Sequence, residues 1–208
     1  MELLAAAPAP QAWESVQRDL SSLVADLSGA LKTYAYTEDA AKATDEQLAG
    51  WLMAQLRAAK HRLLPAMDRA FALAGRTAAP GYHQFEHAAT LLRDDLDIFS
   101  DEVKLRSFSW SSLEPDWLKM LVRKDHELLQ GARKLVAAVE RLDADLGKAD
   151  AAVLAADPGF WPALAAHVGK ARQQLSELVR TFKERDNICN LKKFEFSKTL
   201  AQIQRAAR

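Results

Sequence analysis

Histidines and carboxylates at helical spacing are the groups in this chain best suited to chemistry. The densest cluster is His83-Gln84-Phe85-Glu86-His87. Residues four apart share one face of an α-helix, so His83 and His87 can present two imidazoles to one ion, with Glu86 between them. Helical bundles hold zinc or iron with such His and carboxylate sets on facing helices. Further ligands would have to come from His61, His126 and His167. The same string reads His-x-x-Glu-His, a zinc-protease pattern, although no clear third ligand or substrate cleft is legible around it. The phase of the apolar residues also points outward: with Tyr82 and Phe85 facing inward, His87 faces away from the core. Metal binding at His83, Glu86 and His87 is therefore the alternative reading. The leading reading expects no cofactor.

A His-x-x-x-His pair also occurs in hemerythrin-like di-iron bundles, and the chain resembles them in that pair alone. Those proteins add a His with a Glu four residues on, where His61 is followed by Pro65. They also add a His with an Asp five residues on, where His126 is followed by Gly131.

Asp125 falls on an apolar stripe, where a buried carboxylate needs a partner. It could set the register of the bundle or orient His61 or His167. The preferred expectation is that the helix rotates slightly, so that Asp125 reaches solvent beside Lys124 or Arg133. Cys189 is the one cysteine. No intrachain disulfide can form, which fits a reducing, cytoplasmic setting, and its place on a stripe reads as a packed thiol. Asp94, Asp97 and Asp101 recur at helical spacing as an acidic face. The C-terminal stretch has the opposite sign. There Lys192, Lys193 and Lys198 flank Phe194 and Phe196, a combination suited to a partner surface or to lipid headgroups.

Lys plus Arg and Asp plus Glu each number 28. This balance leaves no footprint for nucleic acid across the whole chain, and no DNA-reading motif is present. The glycines are isolated from one another, which argues against a phosphate-cradling loop. No apolar run reaches the roughly 20 residues of a transmembrane helix. The Ala/Pro-rich start lacks the basic residues of a secretory signal and reads as a tail over 1–10.

The elements that must position these groups are helices. Hydrophobic residues make up 49% of the chain, enough for a core, and strong helix formers dominate. Steps of three and four predict five helices. The first, over 11–34, carries Trp13, Val16, Leu20, Leu23, Leu27, Leu31 and Tyr34. The second opens at Thr44 with a Thr44/Gln47 capping box, buries Leu48 through Met67 and Phe71, and kinks at Pro65. The third starts at Tyr82, after a Pro80-Gly81 turn. The fourth runs from Pro115 to Leu146. The fifth begins near Asp157-Pro158 and reaches the C-terminus as one rod through Asp186-Asn187, although Arg185 and Lys192 interrupt its stripe. A short extra helix is expected over 150–156.

The fold class expected is all-α: an elongated antiparallel bundle of about five helices with a long C-terminal helix, forming a single domain over 11–208. The expected function is a non-enzymatic interaction protein that binds a protein partner or itself. Its contact residues would be Lys192, Lys193, Phe194, Phe196, Lys198 and Trp110.

Overall fold

The computed structural model describes residues 9–77, 81–106, 114–150 and 157–206, with side chains described over 12–75, 81–106, 114–150 and 157–190. The protein is all-α, and no strand occurs among the described residues. Six helices are present among the described residues: α1 (Ala9–Asp19), α2 (Ser21–Ala30), α3 (Ala41–Thr77), α4 (Tyr82–Leu105), α5 (Pro115–Lys148) and α6 (Phe160–Ala206). The short helix expected over 150–156 lies outside the described residues.

The chain forms two compact units. One comprises 1–51, 106–128 and 181–208; the other comprises 52–105 and 129–180. Segments of α3, α5 and α6 contribute to both.

In the second unit four helical segments form a bundle. Lys60 on α3 pairs with Asp97 on α4 at 2.6 Å, and Arg62 and Arg69 on α3 pair with Glu140 and Asp143 on α5. Arg172 on α6 pairs with Asp95 on α4 at 2.9 Å, and His167 on α6 approaches Asp145 on α5 at 3.6 Å. The cyclic order is therefore α3, α4, α6, α5. Its inner face is the predicted heptad-like pattern. Phe85, Ala89, Leu92, Leu96, Phe99 and Val103 of α4 are buried, as are Leu164, Val168, Ala171, Leu175 and Leu178 of α6.

α3 departs from expectation past Pro65. The helix continues to Thr77, but Phe71 is 67% exposed while Ala66, Ala70 and Ala74 are buried. Consecutive steps of four, Leu63-Met67-Phe71, drift around a 3.6-residue helix. The steps Leu63-Ala66-Ala70-Ala74 hold the face toward the bundle, and small side chains let the helices approach closely. Gly81 has φ +88°, and a Cβ there would meet Pro162 Cδ at 3.4 Å. Glycine thus supplies the left-handed residue that opens α4. At the other turn, the Gly159 N–H donates to Asp157 Oδ1 at 2.8 Å, and α6 starts at Phe160 rather than at Pro158.

The first unit corrects the first predicted helix. Leu20 leaves helical geometry (φ −123°, ψ 34°) before Ser21-Ser22, two weak helix formers. The buried face shifts with it, from Trp13 and Val16 to Val24 and Leu27. Leu31 is extended (φ −113°, ψ 141°), and α3 explains why the helix stops there. The Thr33 N–H donates to Gln47 Oε1 at 3.1 Å and the Ala35 N–H to Thr44 Oγ1 at 3.1 Å, while the Thr44 hydroxyl donates to Ala35 O at 2.7 Å. Thr44 and Gln47 therefore do not form a capping box. α3 opens earlier, at Ala41, and these two side chains hold the extended segment instead.

Candidate functional site

Alternate residues of an extended chain point the same way. Tyr34 and Tyr36 therefore send both hydroxyls to one side, and both reach Asp125 on α5. The Tyr34 hydroxyl donates to Asp125 Oδ2 at 2.8 Å and the Tyr36 hydroxyl to the same oxygen at 2.6 Å. Trp13 packs against both rings with centroids 6.0 and 6.2 Å away, edge to face.

Arg185 on α6 completes the cluster. Its Nε donates to Asp125 Oδ1 at 2.6 Å, Nη1 to Asp45 Oδ1 at 2.6 Å and Nη2 to the Tyr36 hydroxyl at 2.8 Å. Arg106 Nε donates to Asp45 Oδ2 at 3.1 Å and its Nη2 to the Asp45 backbone carbonyl at 3.2 Å. Both oxygens of each carboxylate accept a hydrogen bond, and two guanidiniums balance two carboxylates. Asp125 is 0% exposed, Asp45 2% and Arg185 3%. At such depth only a paired and hydrogen-bonded charge is tolerable.

The expectation that Asp125 reaches solvent is thus corrected. Arg185 does not interrupt the α6 stripe either: Phe182, Arg185 and Cys189 occupy consecutive inward steps. Asp125 orients neither His61 nor His167, both of which are exposed. A sequence signal existed. Opposite charges stood on apolar stripes of two different helices, and each was the partner the other required.

Burial raises both tyrosines well above their ordinary range; Asp125 adds to this for each, and Arg185 pulls the other way. Burial works against the Arg185 charge, but Tyr36, Asp125 and Asp45 more than offset it, holding the guanidinium protonated well above its usual range. Burial pushes the Cys189 thiol up to about 12, against the pull of Arg185. Burial likewise raises Asp186, which also accepts a bond from Asn190 Nδ2 at 3.1 Å. At neutral pH both phenols and the thiol are therefore protonated. Iodoacetamide at pH 8 should leave Cys189 unmodified in the native protein and label it fully in denaturant. Rapid native labelling, read by intact mass, would contradict this packing.

The predicted metal ligands are placed differently. His83 Nδ1 lies 3.3 Å from Glu86 Oε2, its side chain is 93% exposed, and His87 is exposed on the same helix. Among the described residues no group of three or more His, Cys, Asp or Glu side chains converges as a metal site. His126 Nε2 lies 3.0 Å from Asp26 Oδ2. The acidic face of α4 is used within the chain, Asp94 by Arg93, Asp97 by Lys60 and Asp101 by Lys104. Lys192, Lys193, Phe194, Phe196 and Lys198 fall on α6, with side chains outside those described, and Trp110 lies outside the described residues. Among the described residues no helix is long and apolar enough to cross a membrane. No protein-family model matches the chain, and no curated protein or solved structure is detectably similar to it.

Proposed function

We propose that the chain is a non-enzymatic interaction protein that associates with a second copy of itself through the C-terminal part of α6. The observation behind this reading is the continuity of that helix. Asp186 and Asn187 do not break it, and 47 residues run as one helix to Ala206. Phe194 and Phe196, flanked by Lys192, Lys193 and Lys198, are its contact residues, with Trp110 as an aromatic anchor. The buried cluster supports a structural role in preference to a catalytic one, because its carboxylate oxygens are spent on internal donors. A single buried thiol suits a reducing cytoplasm.

Truncation tests the reading, and the cut must fall after Asn190, because an earlier one removes Arg185 and Cys189 from the core. Light scattering should give the full-length chain a multiple of the monomer mass and the truncated chain the monomer mass. A monomeric full-length chain at tens of micromolar would remove self-association.

A further inference from the structure

Leu20 separates two helices whose sequence reads as one. Trp13, Val16, Leu20, Leu23 and Leu27 step by three and four, so an uninterrupted helix from Ala9 to Ala30 would carry all five on one face. The bent chain uses that seam incompletely. Trp13, Val16 and Leu27 are buried, while Leu20 and Leu23 stay partly exposed. The break is narrow. The Leu20 N–H donates to Val16 O at 2.9 Å and the Val24 N–H to Leu20 O at 3.0 Å, so helical bonding runs up to Leu20 and resumes from it. No side chain caps α2 at Leu20, and Ser21 and Ser22 are exposed. These two weak helix formers permit the bend, and the packing of α1 sets it. That packing is small. Of the described α1 side chains, Trp13 and Val16 are buried, and Trp13 meets Tyr34 and Tyr36 edge to face. Lys119 Nζ donates to Asp19 Oδ2 at 2.6 Å beside the break, and Glu14, Gln17 and Arg18 are exposed.

We propose that α1 is an exchangeable helix. With Leu20 in helical geometry, α1 and α2 join into one rod. Trp13 and Val16 then dock against Tyr34 and Tyr36 of a second copy, whose own α1 docks in return. A two-fold exchange of this kind preserves the contacts that α1 makes within one chain. The two forms differ in the hinge and in the freedom lost on association. The straight hinge agrees with the local sequence pattern, and it completes a seam at Leu20 and Leu23 for the second copy to cover. A second copy carries the complementary surface by construction, because that surface is the one α1 already occupies. The exchange uses residues 9–36 and is independent of the C-terminal part of α6.

Sedimentation equilibrium on the full-length chain, carried to hundreds of micromolar, tests it. Ser21→Ala with Ser22→Ala favours the straight hinge and should tighten self-association about ten-fold or more. Ser21→Pro suits the first residue of α2 but not a helix interior, and it should weaken self-association about a hundred-fold or more. Circular dichroism checks that each variant keeps its helix. If the proline variant does not fold, Leu20→Asn, which caps α2 in the bent form, replaces it. Two results overturn the exchange directly: a wild type and alanine variant that both stay monomeric, or an association that none of the hinge variants alters. Association that Phe194→Ser with Phe196→Ser abolishes while Ser21→Pro leaves it intact belongs to α6 and also overturns the exchange. The reverse pattern supports the exchange and removes the α6 contact. Phenolate absorbance supplies a further check. A dimer in which Tyr34 and Tyr36 ionise in their ordinary range overturns the exchange, because α1 would then cover them in neither copy.

Discussion

Arg185→Leu should lower the unfolding free energy by about 3–5 kcal/mol, because it leaves Asp125 buried without a cation and Asp45 with Arg106 alone. Urea unfolding followed by circular dichroism measures it. The cost belongs to the stranded Asp125 carboxylate more than to lost packing, and this has a consequence. Arg185→Leu combined with Asp125→Leu removes one charge of each sign and leaves Asp45 with Arg106. The double variant should be more stable than additivity allows by about 2 kcal/mol. Lys124→Ala removes pairs with Glu127 and Glu184 at a partly exposed position and should cost less than about 1 kcal/mol. A loss that small at Arg185 would mean that water reaches the cluster and that it does not hold the first unit together.

Alkaline pH should unfold the protein with an unusually steep dependence. Tyr34 and Tyr36 have folded pKa values well above the ordinary value of 10.0. A raised pKa contributes stability that is fully present below the unfolded value and is lost as pH rises toward the folded one. Above pH 10 the unfolded chain releases three protons that the native chain keeps, two from these tyrosines and one from the Cys189 thiol, so stability falls by about 4 kcal/mol per pH unit. Phenolate absorbance should therefore rise together with loss of helix for these two residues. Tyr36→Phe removes one group of the three and should lower the slope by about a third. Phenolate forming fully at pH 10 to 11 with helicity intact would place the hydroxyls in solvent and contradict their bonds to Asp125.

The helices were legible in the chain because burial imposes a period, and a long 3–4 repeat has few other solutions. α4, α5 and, as far as Cys189, α6 follow their stripes closely. The start of the chain was not legible, since residues 20–34 satisfy a helical pattern on their own. Gln47 and Thr44 offer the same backbone other partners, and those partners lie across a loop. The capping box misled for the same reason, because its side chains suit either a local amide or a distant one.

For the polar residues the division is sharper. Sequence alone determined that Asp125 stood on an apolar stripe and that Arg185 fell within another, and each in isolation read as a defect. Only the tertiary structure decided that they meet, with Asp45 and two tyrosines from an extended segment. The physical reason is that a buried charge is prohibitive alone and acceptable when paired, so its meaning lies in the partner, up to 140 residues away in the chain. Periodicity reports which side of a helix is dry; it carries no information on which dry sides face each other.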